Sequence, residues 1–407
     1  MTRSSLCVVA FLVLTGCAGI GPGAIHRTRL SYNETVKTTS EQEMLLNIVR
    51  LRYGDTPSAL AISNIAAQYE LSAGVGANPF FAAGADRSFT SVLPQANLGG
   101  ADRPTISLTP LDDTEFARRL FTPLTLEGVV YLARTTWPIG TVFRLYLENL
   151  NWVPNAQTAS GPTPALAPPG SAFNEGARAL NVLQQRGDIV FGSEPRVELL
   201  GPPLPTLTAQ DLIAATQQGL EFAPQPDGKS WRLQRSTSRF VLHVNPAALA
   251  SAEMATLRRA FRLKDKTDHF DLTIESMEPF AVPPEGTDRI DLEPRSLLQA
   301  LFFVAHGVQV PREHLERGLA RQTLNADGTP FDWAAQLAGL FSVKSVRGPC
   351  APEEAHVAVE YAGACFFIEA SDHETKSTFS LLMEHARLEL SGKTGQGAPL
   401  LTIPLGR

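Results

Sequence analysis

The sequence is poor in positive charge, and only its N-terminal segment resembles a membrane-targeting sequence. Of the 407 residues, 35 are Lys or Arg and 41 are Asp or Glu, which gives a formal net charge of −6. Proteins that bind duplex nucleic acid usually have a pI above about 9, whereas the value here is 5.8. Nucleic acid is therefore not expected as a partner. No stretch approaches the ~18 uninterrupted apolar residues that indicate a transmembrane helix.

The common catalytic motifs are missing as well. The sequence has no GxxxxGK[ST] phosphate-binding loop, no GxSxG elbow and no HExxH zinc motif. The histidines considered as candidates lie beside carboxylates in Asp268-His269 and Asp372-His373-Glu374. The first fits a strand whose neighbouring side chains point apart, and the second fits a helix start. We therefore predict no catalytic residue, no metal site and no cofactor, and the sequence leaves enzymatic activity undecided but not favoured.

The N-terminal segment indicates where the protein resides. Arg3 precedes an apolar run, Leu6 to Leu14, that has the length of a secretory signal core. The following Leu14-Thr15-Gly16-Cys17 resembles the bacterial lipoprotein signal, in which an aliphatic residue and two small residues precede a cysteine. The resemblance implies that acyl chains such as palmitate are attached at Cys17 and that residues 1–16 are removed. An ordinary signal peptide with an unrelated cysteine is the alternative.

The same resemblance predicts the compartment. Ala18, rather than Asp, follows the cysteine, and in bacterial lipoproteins this implies sorting to the outer membrane. Two or three acyl chains are enough for stable anchoring. We therefore predict a lipid-anchored outer-membrane protein whose body faces the periplasm. In that oxidising compartment Cys350 and Cys365 are predicted to form a disulfide, because they lack the CxxC spacing of a redox or metal site.

The predicted fold class is α+β, with mixed helices and mainly antiparallel sheets in two domains. Helices are expected from a capping box at Ser40, over Phe173–Arg186 and over Leu297–Ala305. Strands are expected over Thr141–Asn151 and, at the end of the chain, over Leu388–Leu390 and Leu400–Pro404. The predicted organisation is a signal peptide at 1–16, a flexible tether at 17–38, an N-terminal domain at 39–153, a Pro-rich linker at 154–170 and a C-terminal domain at 171–407.

The most regular pattern in the N-terminal domain predicts a long β-hairpin at about residues 59–109. Apolar residues occupy alternate positions from Ile65 to Ala77, a longer run than the usual ~5–6 residues of a strand. A rougher alternation follows up to Thr109. The residues predicted to contact a membrane or a partner lie on the apolar face and at the aromatic tip of this hairpin: Tyr69, Leu71, Val75, Phe80 and Phe81.

Further stretches resemble a group of uncharacterised bacterial envelope lipoproteins, a resemblance that implies no activity. They lie at residues 46–53, 68–69, 104–107, 377–379 and 399–404. The sequence therefore predicts a lipid-anchored outer-membrane lipoprotein with a non-catalytic binding or scaffolding role, whose partners are the membrane and envelope proteins. Two alternatives stay open. One is a protomer of an oligomeric outer-membrane pore or export complex that donates its hairpin, and the other is an envelope hydrolase with a site built from distant residues.

Overall fold

The computed structural model describes residues 20–58, 60–66, 69–84, 87–102, 105–110, 114–274, 284, 286–350 and 354–390. Side chains are described within 30–58, 118–274, 284, 286–350 and 354–388. The predicted signal peptide, the lipidation site Cys17 and a closing strand predicted at Leu400–Pro404 lie outside these residues. Helices and sheets alternate along the described chain, which confirms the α+β class.

The chain forms two compact units. The first comprises Met1–Pro57 and Arg118–Glu389, and the second comprises Ser58–Ala117 and Leu390–Arg407. The Pro-rich segment 154–170 lies inside the first unit rather than between the two. Its Asn155 is buried, and the amide of that side chain donates hydrogen bonds to the carbonyls of Arg144 and Leu147, at 2.7 and 2.8 Å. These contacts hold the segment against the body of the first unit.

The first helix, α1, spans Ile20–Tyr53. The helix start predicted at Ser40 is therefore wrong, and the segment predicted as a flexible tether is helical from Ile20 onward. The Nζ of Lys37 lies 3.9 Å from Glu34 and 3.4 Å from Glu41, at the spacings that favour a helix. Downstream, α1 packs against β13 (Ala355–Tyr361) and α8 (Leu297–Ala305) of the same unit. It buries apolar side chains of the core: Leu45, Ile48, Val49 and Leu51.

Ten more helices follow in the described residues. They are α2 (Thr114–Phe121), α3 (Leu126–Ala133), α4 (Ile139–Tyr146), α5 (Phe173–Gln185), α6 (Ala209–Gln217), α7 (Ala252–Phe261), α8 (Leu297–Ala305), α9 (Arg312–Glu316), α10 (Trp333–Gln336) and α11 (His373–Leu390). The strand predicted over Thr141–Asn151 is wrong in its first half, which is helical. Ile139, Val142, Phe143 and Tyr146 are buried at the i, i+3, i+4 and i+7 spacing of a helix face.

A seven-stranded sheet forms the centre of the first unit. Its order is β6-β5-β11-β10-β9-β7, with β8 also paired to β9. The strands are β5 (Leu147–Leu150), β6 (Val153–Pro154), β7 (Ile189–Leu204), β8 (Glu221–Pro224), β9 (Trp231–Val244), β10 (His269–Thr273) and β11 (Arg289–Pro294). Only β10 and β11 are parallel among these pairs. The strand β7 forms one edge of the sheet.

A smaller antiparallel sheet contains the predicted disulfide. Its three strands are β12 (Lys344–Arg347), β13 (Ala355–Tyr361) and β14 (Ala364–Glu369), with β14 in the centre. Cys365 on β14 is buried and bonded to Cys350, with a Cα–Cα distance of 4.9 Å. The disulfide prediction is confirmed. The strand expected at Leu388–Leu390 is instead the end of α11.

A fully buried arginine links the large sheet to α4. The guanidinium of Arg295 donates to the carbonyls of Arg144, Leu145, Leu147 and Asn155 and to the hydroxyl of Ser160. The first two of these carbonyls end α4 and have no partner within the helix. The guanidinium also lies 4.0 Å from the ring centre of Phe303. Burial lowers the pKa of Arg295 to about 9.

The second unit contains four described strands. They are β1 (Leu60–Ala66), β2 (Tyr69–Gly84), β3 (Arg87–Asp102) and β4 (Thr105–Pro110). The strands β2 and β3 pair antiparallel without a shift in register, from Tyr69 opposite Asp102 to Gly84 opposite Arg87. The predicted contact residues Tyr69, Leu71, Val75, Phe80 and Phe81 lie on β2, and their side chains are outside the described part of the structure.

Candidate functional site

The candidate site is a cavity of about 290 Å³ in the first unit. The C-terminal end of α1, the C-terminal end of α8, the start of α10 and the start of α11 all contribute to its wall. Apolar side chains form most of the lining, and a few polar groups are set among them, as is usual for ligand pockets. The polar and aromatic lining residues are Arg52, His306, Gln309, Gln322, Thr323, Phe331, Trp333, Phe341, Ser342, Asp372, Glu374 and Thr375.

Arg52 supplies the positive charge of the cavity. Its side chain is 7% exposed, and both of its described hydrogen bonds use Nη1, which donates to Thr163 Oγ1 at 3.3 Å and to the Arg321 carbonyl at 2.9 Å. The Nε atom is buried and has no hydrogen-bond partner among the described residues. Desolvation lowers the pKa of Arg52 to about 10, so that the group stays charged at neutral pH. Its burial distinguishes Arg52 from a helix-end arginine that lies in solvent.

The edge of the guanidinium formed by Nε and Nη2 carries no hydrogen bond to a described residue. That edge presents two parallel N–H groups, which is the geometry that binds a carboxylate in bidentate fashion. No ion pair joins Arg52 to a carboxylate in the described chain. A buried guanidinium that has no hydrogen bond along this edge is therefore suited to pair with an anionic group from outside the chain.

Tyr53 fixes the end of α1 and thereby the position of Arg52. Its hydroxyl lies 2.6 Å from Nδ1 of the buried His314. The Tyr53 ring also meets Tyr361 and Phe366 edge to face, with centroid distances of 5.1 and 6.0 Å. The hydroxyl of Tyr361 in turn donates to Asp55, just beyond the helix. Burial raises the pKa of Tyr53 to about 12, so the phenol remains neutral.

His306 supplies a hydrogen-bond acceptor. Its Nδ1 lies 2.7 Å from the Phe302 carbonyl, and a carbonyl only accepts, so Nδ1 carries the proton. The other nitrogen, Nε2, is then an acceptor, and it is buried without a hydrogen-bond partner among the described residues. Desolvation and the nearby Arg52 charge lower the pKa of His306 to about 4. The imidazole is thus neutral at physiological pH.

Trp333 and Thr323 hold the wall beside His306. The indole Nε1 donates to Thr323 Oγ1 at 3.0 Å, and that hydroxyl donates to the Pro164 carbonyl at 2.8 Å. Phe331 meets the indole edge to face at 4.8 Å. Pro164 belongs to the Pro-rich segment, which therefore supports the cavity rather than linking two domains at this point.

Asp372 and the threonine hydroxyls of the cavity make structural contacts. Asp372 accepts hydrogen bonds from the backbone N–H and the hydroxyl of Thr375, at 3.0 and 2.7 Å, and so caps α11 as expected from the sequence. The Thr375 hydroxyl also accepts from the Ser342 N–H at 3.0 Å. The free His306 nitrogen contacts none of these groups, so His306 activates none of the described hydroxyls that line the cavity.

Other sequence-predicted features do not join the cavity. His269 is an exposed residue whose Nδ1 lies 2.9 Å from its neighbour Asp268, and His373 lies exposed at the start of α11. No group of His, Cys, Asp and Glu in the described part of the chain is arranged to hold a metal ion. None of the described helices has both the length and the hydrophobicity needed to cross a membrane.

Sequence reasoning missed the cavity because its key groups are far apart in the chain. Arg52, His306 and Trp333 come from three segments, and each has an ordinary local role at a helix end. Comparison with known proteins finds no matching family model, no matching curated protein and no matching solved structure. The function is therefore argued from the geometry alone.

Proposed function

We propose that the chain is a lipid-anchored outer-membrane lipoprotein with a non-catalytic binding role in the cell envelope, and that the cavity at Arg52 takes a small organic carboxylate. The observation that carries the binding role is the unpartnered Nε edge of the buried Arg52 guanidinium. A charge taken out of water without a counter-ion is costly, and a bound carboxylate would offset that cost.

The other groups of the cavity limit the choice of ligand. The free His306 Nε2 accepts a hydrogen bond and so favours a ligand with a hydroxyl or amine beside its carboxylate. Trp333, Phe331 and Leu337 favour an apolar body. A volume of about 290 Å³ limits that body to roughly the size of one aromatic ring with a short side chain.

Mandelate, a phenyl ring with an α-hydroxy acid, is a suitable probe because it carries all three features. Calorimetric titration of the full chain in non-ionic detergent at pH 7 is expected to give a Kd of about 1 mM or tighter. Mandelamide, which lacks only the charge, is expected to bind at least tenfold more weakly. Equal binding of the two compounds would contradict the proposal.

Variants of Arg52 test which residue is responsible. Arg52→Lys keeps the charge but loses the two parallel N–H groups of the guanidinium, so the affinity for mandelate is expected to fall about tenfold or more. Arg52→Met is expected to abolish detectable binding. Arg312→Met is the matched control, because its arginine is exposed on α9 and pairs with Glu316 at 2.8 Å. Circular dichroism of each variant shows whether a loss of binding is a loss of folding.

The anchor is tested separately. Cells supplied with an alkyne analogue of palmitate should label the chain, and Cys17→Ser should abolish the label and release the protein from the outer-membrane fraction. Cys350→Ser serves as a control that removes a cysteine without removing the label. Labelling that survives Cys17→Ser would contradict the lipoprotein assignment while leaving the cavity proposal intact.

In a second candidate function, the chain is a protomer of an oligomeric outer-membrane pore or export complex. The chain would have two domains and would donate its N-terminal hairpin, at about residues 59–109, to this complex. The uninterrupted pairing of the 16-residue strands β2 and β3 supports it, because ~9–11 residues are enough for a membrane strand. This candidate predicts detergent-stable rings and release of dye from liposomes. Phe80→Ala with Phe81→Ala should weaken insertion, and a monomer in every detergent would exclude it.

A further inference from the structure

The large sheet extends into an outer arm that has almost no core of its own. We define the outer arm as residues 193–239, which include the outer parts of β7 and β9 with α6 and β8 between them. Within it only Ala215 is buried. Large apolar side chains are exposed there instead: Val197, Leu199, Leu212, Ile213 and Trp231, at 39–59%. Exposed apolar residues gathered on one segment indicate a surface that another molecule covers.

The apolar face of β7 continues from the core into the arm. Ile189 and Phe191 are each 5% exposed and belong to the core. Val197 and Leu199 lie an even number of residues after Ile189 and Phe191 in the same strand, and their side chains therefore lie on the same face. They are nevertheless 52% and 47% exposed. The face that is covered at the base of β7 is thus uncovered further out.

The outer edge of β7 is free in the described sheet, where the strand pairs with β9 alone. Proline has no N–H, and Pro195 lies opposite Ser238 within this pairing, so the nitrogen of Pro195 is expected to face the free edge. The backbone groups of Val197 and Leu199 then face the same edge, because the direction alternates along a strand. Pro202 and Pro203 limit this edge at its outer end.

Residues 195–199 of β7 are complementary in charge to the same residues of a second copy. When two copies of β7 lie antiparallel with Val197 opposite Val197, each Arg196 faces Glu198 of the second copy. On the other face, Pro195 meets Leu199. Moving the centre by one residue, to Arg196 or to Glu198, would put like charges opposite each other, which is destabilising. Of these three centres, the charges favour Val197.

We infer that β7 pairs with β7 of a second copy of this chain, in a two-fold symmetric dimer that joins the two large sheets edge to edge. Such an interface is isologous, since the same surface serves both copies. Backbone hydrogen bonds would supply affinity, and the crossed Arg196–Glu198 pairs would set the register. This inference does not depend on the proposed carboxylate site or on the lipid anchor.

A cysteine at the two-fold axis tests the register directly. Val197→Cys places two thiols opposite each other, at a Cα separation of about 4.5–5.5 Å that a disulfide spans. Mild oxidation of the full chain in membranes is expected to give a covalent dimer on a non-reducing gel. Leu199→Cys is the matched control, because its two copies would lie about 13 Å apart, and a yield at least fivefold lower is expected.

Charge reversal provides the second measurement. In the Val197→Cys background, Arg196→Glu or Glu198→Arg alone is expected to lower the yield of cross-linked dimer at least fivefold. The combination of both changes restores opposite charges and should return the yield to within about twofold. Equal cross-linking at positions 197 and 199, or no rescue in a double variant that circular dichroism shows to be folded, would overturn the inference. The same holds if Val197→Cys stays monomeric.

Discussion

The imidazole of His306 lies against the indole of Trp333, with ring centroids 4.3 Å apart and ring planes inclined by 43°. Both rings line the cavity, and the imidazole whose Nε2 has no described partner is therefore close to the fluorescent indole of Trp333. A ligand that donates a hydrogen bond to Nε2 would change the environment of the indole. The relationship therefore offers an optical signal for binding.

We expect mandelate to change the tryptophan emission of the full chain, and Trp333→Phe to remove that change. The phenyl ring keeps much of the packing on His306 but loses the emission and the hydrogen bond to Thr323. Calorimetric affinity should stay within about tenfold, since one neutral hydrogen bond contributes ~0.5–1.5 kcal/mol. Trp137→Phe is the control that retains the signal. A ligand-dependent change that survives in Trp333→Phe would place the ligand elsewhere.

A comparison of two ligands isolates the role of His306. Phenylacetate lacks only the hydroxyl of mandelate, so the wild-type chain should bind mandelate about 2–10-fold more tightly, as expected for one hydrogen bond. His306→Phe removes the acceptor and should abolish this preference while binding of phenylacetate persists. Titration calorimetry of the four combinations gives the coupling between hydroxyl and imidazole. A preference that is unchanged in the variant would assign the hydroxyl to another residue.

Two buried histidines predict the acid sensitivity of the fold. Desolvation lowers the pKa of His306 and of His385 from 6.5 to about 4. Between these values the unfolded chain binds protons that the native chain does not, so stability is full above pH about 6.5 and falls on acidification toward pH about 4. Each histidine contributes a slope of up to about 1.4 kcal/mol per pH unit.

Urea unfolding at pH 7 and at pH 5 measures this dependence. His385→Phe should reduce the difference between the two midpoints, because it removes one of the two titrating groups. His243→Phe is the matched control, since the histidine is a partly exposed residue on β9, 3.3 Å from Glu194. An unchanged difference in His385→Phe would show that the buried imidazoles are not responsible.

Arg295 is predicted to be among the most sensitive positions of the fold. Arg295→Met leaves the buried carbonyls of Leu145 and Asn155 without their described donor, whereas the carbonyls of Arg144 and Leu147 keep the Asn155 amide. A loss of about 2 kcal/mol or more in the free energy of unfolding is expected, at 1–3 kcal/mol for each of the two unsatisfied groups. The stability of Arg295→Lys should lie between those of the wild-type chain and Arg295→Met, because an ammonium offers three donors. A loss below about 1 kcal/mol in Arg295→Met would show that water replaces these bonds.

Removal of the disulfide should destabilise the first unit without changing ligand binding. The bond closes a loop of 15 residues, for which the chain-entropy contribution is up to about 3 kcal/mol. Cys350→Ala with Cys365→Ala should lower the free energy of unfolding by up to that amount. The wild-type chain in reducing agent should show the same shift, whereas the double variant should not respond to reduction. A response of the double variant would point to another cause.

Two helices were predictable from the sequence, although the capping box at Ser40 did not mark a helix start. The helices predicted over Phe173–Arg186 and over Leu297–Ala305 agree with α5 and α8 to within one residue. The bond between Cys350 and Cys365 was predicted from the expected oxidising compartment and from the cysteine spacing. Mixed periodicity was the main source of error. At α4, apolar residues satisfied both strand and helix spacing, and packing on both sides favoured the helix.

The candidate site was not predictable because no local pattern encodes it. A basic residue in the last turn of a helix usually complements the helix dipole in solvent, and nothing near Arg52 in the sequence shows that distant segments bury it. Thr163 and Arg321, which hold its Nη1, lie 111 and 269 residues away. The Pro-rich stretch that resembled a linker is one of the elements that cover it.

The length of α1 has a consequence for how the cavity meets its ligand. The helix rises ~1.5 Å per residue, so Arg52 lies about 50 Å along it from Ile20. In the proposed lipoprotein the acyl chains are attached only three residues before that start. The described helix between that start and Arg52 would then be longer than the hydrocarbon core of a bilayer is thick. Where this helix extends away from the bilayer, the ligand reaches its site through the aqueous phase.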